Sequence, residues 1–579
     1  LDLETSYIRT PRKRRRSFFG ILVFLFIIAA LASFGWFYYL RYIPSNEMQE
    51  PSFEQDNPIV MNGADTAYGA VIEEGDVALP LTLLETVFGE DKPIYYEEQT
   101  GTIVLTTANQ VLQLKTNALT GLINKSPYQL NIAAQVRDDV VYIPEMPLEQ
   151  LYGLKIDYDE SSHIVTVMEA GDAVQQAKVT GKNGAALRIE PSIRKPYQMT
   201  IEQGEVVRLW EEEDGWYLAQ TLSGYIGYIR KSEVTLGTIE QVAKQETAST
   251  FVPTTAIGQK VNLTWEAVYN QKINTDKIGD MTGLNVVSPT WFELADGKGT
   301  IASKADSAYV KWAHERGYQI WALFSNGFLP DQTTEALSTA ETRFKMIQQI
   351  IAFAELYDLQ GINIDFENVY TKDKENLVQF VKELTPLLHE QGLVVSIDVT
   401  PKSNSEMWSV FLDRAALGKV VDYMMIMAYD EHWAASPVSG SVASLSWTEQ
   451  SIAKIMEEDK VPPGKIILSM PLYTRIWTEK ADETGVIKVS SKAVGMDSVK
   501  QIVQEKKLLP TFDADAGQNY VEYEEDGALK RIWIEDDVSM TARLGLVRKF
   551  DLAGVATWQR AFQTTTIWDT ISKGLANTL

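Results

Sequence analysis

In the C-terminal part of the chain, short apolar runs alternate with stretches of helical period. The runs are Val261 to Trp265, Leu284 to Ser288, Gln319 to Phe324, Gly361 to Asp365, Val394 to Val399, Tyr423 to Ala428, Lys465 to Met470 and Gly554 to Trp558. Strands separated by helices predict a parallel sheet, and eight of them in this span predict a (β/α)8 TIM barrel. One connecting helix is explicit: Leu377, Val381, Leu384 and Leu388 recur on one face before Gly392 closes the segment, with Pro386 expected to kink it. Between Trp477 and Asp537 the alternation breaks. A hairpin over Tyr520 to Ile534, turning on Glu525-Asp526-Gly527, predicts a small α+β insertion at about 478–537, forming one wall of a groove across the barrel mouth.

Upstream the pattern changes three times. The uncharged apolar run Phe18 to Leu40 is long enough to span a bilayer. It ends in Trp36, Phe37, Tyr38 and Tyr39, and it follows the basic block Arg12, Lys13, Arg14, Arg15 and Arg16. This predicts a cytoplasmic segment 1–17, a single-pass signal anchor 18–40 and an extracellular remainder; the competing reading is a cleaved signal peptide, since Ala30-Leu31-Ala32 has the small-x-small form of a cleavage site. A polar tether at 42–57 leads into a duplication. Asp76-Val77-Ala78-Leu79-Pro80, a helical stretch to Gly89, and strands near Ile94 and Thr102 are echoed by Asp139-Val140-Val141-Tyr142-Ile143-Pro144, a stretch to Gly153, and strands near Ile156 and His163. These are two similar α+β halves of a module over 58–170, expected to pack together. Short alternating strands over 175–237 predict a small all-β barrel, and a Thr- and Gln-rich linker, 238–255, separates it from the (β/α) domain at 256–579.

At 579 residues the chain has room for several domains, and 45% hydrophobic with 23% charged residues is a globular composition. Without cysteine it can form neither disulfides nor thiolate sites. Its net charge of −25 conceals an asymmetry: the first 41 residues carry seven Lys/Arg against two Asp/Glu, leaving 46 basic and 76 acidic residues beyond them. Such an acidic exterior disfavours nucleic acid and anionic lipid and suits a neutral polymer. His163, His314, His389 and His432 form no ligand-spaced pair, and neither a calcium loop, a phosphate-binding loop nor a nucleophile elbow occurs, so no metal or cofactor is expected.

The fourth run carries the chemistry. Side chains alternate along a strand, so Ile362, Ile364 and Phe366 face the helices while Asn363, Asp365 and Glu367 line the barrel interior, rising towards the C-terminal end where barrel enzymes hold their catalytic groups. Two carboxyls on one buried face repel when both are ionised, which keeps a proton available near neutral pH. Glu367, nearest the mouth, is the natural proton donor.

Gln360-Gly361-Ile362-Asn363-Ile364-Asp365-Phe366-Glu367 resembles the signature D-G-x-D-x-D-x-E of family-18 glycoside hydrolases, the chitinase and N-acetylglucosaminidase family, with amides at the first two acidic positions. Met427-Ala428-Tyr429-Asp430 is similar to that family's Met-x-Tyr-Asp motif, Trp558 ends the last strand as in the family, and Pro471 to Trp477 looks like the segment after its seventh strand. The resemblance is to the spore and cell-envelope branch. It implies substrate-assisted retaining hydrolysis with Glu367 as acid/base, Asp365 orienting the 2-acetamido group, and Tyr429 holding its carbonyl. Asn363 would hydrogen-bond Asp365 and leave the site one charge less negative; Trp558 would floor the sugar, and Asp430 and Arg475 would contact the groove. Residues 58–170 resemble the copper amine oxidase N-terminal module, implying no copper here, and 175–237 resembles a bacterial SH3-like domain, with Trp216, Tyr225 and Tyr228 as either a wall-contact surface or core. The expectation is a membrane-anchored extracellular glycosidase acting on β-1,4-linked N-acetylglucosamine polymers, peptidoglycan before chitin. The alternatives are a non-catalytic lectin-like envelope protein and a hydrolase of another acetamido-sugar polymer.

Overall fold

The computed structural model describes residues 18–244, 251–253, 259–269 and 272–576. Packing divides the chain into two compact units, Leu1–Leu84 with Val136–Gln245, and Glu85–Gln135 with Glu246–Leu579.

The second unit is built on eight parallel strands, β1 (Val261–Glu266), β2 (Val286–Pro289), β3 (Gln319–Ser325), β4 (Gly361–Asp365), β5 (Val394–Val399), β6 (Tyr423–Met427), β7 (Ile466–Pro471) and β8 (Gly554–Trp558). Each pairs with the next, and β8 pairs with β1, closing the predicted barrel. Closure works because both faces of the sheet are apolar. Leu263, Trp265, Trp321 and Met425 fill the interior, while Ile362, Ile364 and Phe366 pack outward against the helices Ala340–Leu356 and Lys374–His389. Leu377, Val381, Leu384 and Leu388 are buried at the predicted spacing, and the helix runs through Pro386, which sits in its last turn.

After β7 the chain enters a five-stranded antiparallel sheet whose first strand, Tyr473–Ala481, begins ahead of the predicted insertion boundary at 478. The hairpin Gln518–Glu525 to Ala528–Ile534 turns on Asp526 and Gly527, both at positive φ, as a two-residue loop with right-handed strand twist demands. Val499, Val521, Ile532 and Ile534 give this insertion its own small core.

The same unit includes a five-stranded meander from Ile94–Glu97 to Ser126–Gln129. It is fixed to the barrel helices by a buried ion network, in which Arg343 Nη2 donates to Glu97 Oε1 at 2.7 Å and to Glu383 Oε1 at 2.8 Å. Val104 and Val111 join the apolar layer outside the barrel, and the Tyr95 hydroxyl donates to Asn376 Oδ1 at 3.0 Å. Within the span 58–170, residues 85–135 thus pack with the second unit.

In the first unit the helix Phe18–Tyr42 has no buried side chain and a mean hydropathy of 2.6 over its apolar window. The corresponding segments of the duplication lie side by side as antiparallel strands, with Tyr142 opposite Pro80 and Ile143 opposite Leu79. His163 sits in the turn before its strand at positive φ, where its Nδ1 meets the Tyr158 hydroxyl at 3.0 Å. A seven-stranded sheet over residues 173–241 holds the core Val179, Leu187, Ile201, Val207 and Ile229. Trp216 is buried, Tyr225 packs on that core and Tyr228 is half-buried, so these rings mainly serve packing. The last strand, Val234–Gln241, pairs with Ala173–Val179 and carries the sheet past the predicted start of the linker at 238. Residues 245–250 and 254–255 of that linker, residues 256–258 at the predicted start of the (β/α) domain, and the basic block at 12–16 lie outside the described residues.

Candidate active site

Strand β4 places its polar side chains as its alternation dictates. Asn363 is fully buried, Asp365 is 8% exposed, and Glu367, two residues past the strand register that holds Asp365, is half-buried at the C-terminal end of the barrel. Glu367 is held through its main chain. Its N–H donates to Asn326 Oδ1 at 3.1 Å and its C=O accepts from Asn326 Nδ2 at 2.8 Å, while the same amide nitrogen also reaches Thr333 Oγ1 at 2.9 Å. Asn326, one residue beyond β3 and fully buried, therefore sets where the Glu367 side chain leaves the backbone.

Asn363 does not make the bond to Asp365 that its position suggests. Its Oδ1 accepts from Trp265 Nε1 at 2.8 Å and from Ser288 Oγ at 3.3 Å, which turns Nδ2 towards Asp398 Oδ1 at 2.9 Å. Asp398 on β5 is 2% exposed. This carboxyl stands one strand away from position 363, where the resemblance led to an acid and the chain has an amide. Sequence reading missed Asp398, although the alternation that exposed Asp365 in β4 also turns Ser396 and Asp398 of β5 inward. Among the described residues Asp365 Oδ1 is buried with no hydrogen-bond partner. An acceptor or donor left bare at such cost is a mark of a site that binds something polar.

The electrostatics follow from that crowding. Burial pushes Asp365 up to about 7. Burial first, then the charges of Asp365 and Asp430, hold Glu367 well above the usual carboxyl range. Burial, with Asp365 and Glu367 adding to it and the Asn363 hydrogen bond opposing, does the same for Asp398. Tyr429, at the end of β6, is raised well above the ordinary phenol value by burial and by the surrounding carboxyls, so its hydroxyl stays neutral and able to donate.

Around this centre the remaining predicted residues are assembled from other strand ends. Asp430, at positive φ, accepts from the Tyr473 hydroxyl at 2.6 Å and from Arg475 Nη2 at 3.3 Å. Arg475 is 9% exposed and is thereby tied to Asp430 and Ser491. Trp558 packs at 5.9 Å from Trp265, and with Tyr429 it borders a cluster of Val442, Ala443 and Tyr473. The structure thus brings Asn363, Asp365, Glu367, Tyr429, Asp430, Arg475 and Trp558 to one end of the barrel, and adds Asn326, Asp398, Trp265 and Tyr473. A buried acid pair below a half-open glutamate, a neutral phenol and an indole is an arrangement able to protonate a leaving oxygen and to hold a polar substrate group beside it.

Comparison with known proteins places this barrel. The model of glycosyl hydrolases family 18 matches residues 296–562, that of the copper amine oxidase N-terminal domain residues 60–167, and that of a bacterial SH3 domain residues 181–235. The glycosylase YvbX of Bacillus subtilis strain 168 is 25% identical over 305 residues, which are 51% of this chain and 85% of that protein. The cortical fragment-lytic enzyme of the same organism is 25% identical over 239 residues, 40% of this chain and only 54% of the relative. The spore cortex-lytic enzyme SleL of Bacillus megaterium aligns with a TM-score of 0.49 at 20% identity, covering 59% of this chain and 77% of that one. The chain therefore carries a glycosyl hydrolase family 18 domain, an enzyme domain of glycosidase type, behind a copper amine oxidase N-terminal-like region and a bacterial SH3 domain.

Proposed function

We propose that the chain is a membrane-anchored extracellular glycosidase that cleaves β-1,4-linked N-acetylglucosamine polymers, peptidoglycan in preference to chitin, by a substrate-assisted retaining mechanism. The observation that carries this reading is the pairing of the half-open Glu367, whose carboxyl holds its proton well above the ordinary range, with Asp365, whose Oδ1 is buried and unpartnered. In the first step the substrate's acetamido oxygen attacks the anomeric carbon and the glycosidic bond breaks as Glu367 gives its proton to the leaving oxygen. Asp365 orients the acetamido N–H and offsets the positive charge of the oxazolinium intermediate, and the Tyr429 hydroxyl holds the carbonyl side of that group. Water then adds to the anomeric carbon as that carbon's bond to the acetamido oxygen breaks, and the water's proton passes to Glu367, leaving the acetamido group restored and the configuration retained. Trp558 is the floor for the distorted sugar, Asp430 and Arg475 complete the binding wall, and the buried Asn363 supports the site from beneath through Asp398.

Peptidoglycan is preferred because two of the relatives are named cortical fragment-lytic enzymes and because a bacterial SH3 domain accompanies the barrel. Anchoring is supported by the exposed apolar helix Phe18–Tyr42. The test is incubation of the protein from Tyr42 onward with purified peptidoglycan and with chitin oligomers, reading released reducing ends by mass spectrometry. Glu367→Gln is expected to lower turnover about 100- to 10,000-fold. Release from neither substrate, or equal release by the variant, would leave a carbohydrate-binding protein instead.

A further inference from the structure

The mechanism above gives no chemical step to Asp398, a carboxyl only 2% exposed. Parallel pairing of β4 with β5 sets Asn363 opposite Ser396 and Ile364 opposite Ile397, so the next inward pair in register is Asp365 and Asp398 on strands separated by about 4.8 Å. Burying a second carboxyl beside the first is costly, and a small neutral side chain would fill the space without that cost. The surroundings are nevertheless arranged to receive it. Trp265 Nε1 and Ser288 Oγ both donate to Asn363 Oδ1, which leaves the amide only one orientation and aims its N–H at Asp398 Oδ1. The groups acting on Asp398 are Asp365 and Glu367 from β4 and its end, with the Asn363 amide opposing them, and Tyr429 at the end of β6 feels its charge.

We propose that Asp398 is a positioning residue of the catalytic site: from the neighbouring strand it supplies a carboxyl where position 363 carries an amide, and it locks that Asn363 amide beside Asp365. This rests on the reading of Asp365 and Glu367 as the working pair. Moving a carboxyl from residue 363 to residue 398 keeps the number of acids beneath Asp365 while changing the strand that carries them. The exchange is therefore expected to be reversible by mutation.

The test uses the full chain with Asp398→Asn, Asn363→Asp and the double exchange Asn363→Asp with Asp398→Asn. Asp398→Asn is isosteric and is expected to lower kcat about 10- to 100-fold on peptidoglycan with little change in KM, and to displace the pH profile. The double exchange is expected to regain most of that loss, which a merely structural role would not permit. A second measurement does not need activity. In a thermal-stability cycle of Asn363→Ala and Asp398→Ala, the two substitutions delete the same hydrogen bond, so their effects should fall short of additivity. Unchanged kcat in Asp398→Asn, or additive stability effects in that cycle, overturns the proposal. If the wild-type chain releases no sugar, the reading of the function fails, and the stability cycle alone decides the coupling.

Discussion

At the scale of single residues, the carboxyls of Asp365, Glu367 and Asp398 are raised by burial more than by each other, and this has a sign that stability can report. Asp365 rises to about 7, so the folded protein binds its proton more tightly than the unfolded chain does. Stability linked to this group is fully present below the ordinary carboxyl range and is lost as pH rises through about 7. Asp365→Asn removes the titration. It should therefore stabilise the protein at pH 8, on the order of 1 to 4 kcal/mol, and have little effect at pH 4. Thermal unfolding of both proteins across that range checks it, and an equal difference at both ends would show that the carboxyl is not held as described. Activity should move the same way with pH, because Glu367 can act as an acid only while its raised carboxyl keeps the proton. The alkaline limb of kcat/KM is accordingly expected to lie above the ordinary carboxyl range.

At the scale of elements, the placement of Glu367 depends on an amide in another strand's loop. Asn326→Ala deletes both main-chain bonds to Glu367 and the bond to Thr333. The expected result is a loss of roughly 1 to 3 kcal/mol in stability with a larger proportional fall in kcat than in substrate affinity. Urea unfolding and steady-state kinetics together separate these, and unchanged kcat in a folded variant would remove Asn326 from the site. No pattern in the sequence announces such a residue, since a buried amide bonding a distant backbone leaves no period. The strands themselves were legible because their apolar runs are bounded by Gly and polar residues: β4, β5 and β8 span the predicted Gly361 to Asp365, Val394 to Val399 and Gly554 to Trp558. Asp365 and Glu367 were legible because three polar residues alternate with three apolar ones. Asp398 was hidden in Val394-Val395-Ser396-Ile397-Asp398-Val399, where a single acid in a β-branched strand draws less notice than a pair.

At the scale of the whole molecule, the order of segments could be read along the chain, because changes of hydrophobic period mark them, but the division into compact units could not. The meander at residues 94–129 belongs with the barrel through contacts that no local pattern encodes: Arg343 and Glu97 are separated by 246 positions, and their bond is visible only when the helix Ala340–Leu356 is folded. Arg343 is fully buried and its guanidinium is shared between Glu97 and Glu383. Taking one partner from a buried ion network leaves an uncompensated charge, at about 3 to 5 kcal/mol, whereas exchange of the whole network for apolar groups of like volume can be neutral. A fragment beginning at Gly258 lacks Glu97 and also uncovers the apolar layer that Val104 and Val111 close. It should unfold at lower urea than the barrel within the full chain, followed by the fluorescence of the interior Trp265 and Trp321. Arg343→Met in the full chain should reproduce part of that loss, because it strands Glu97 and Glu383 without uncovering any surface. Were the fragment to unfold at the same urea concentration as the full chain's barrel, the meander would be an ornament on a self-sufficient domain; a lower midpoint makes residues 85–135 a structural part of the glycosidase unit.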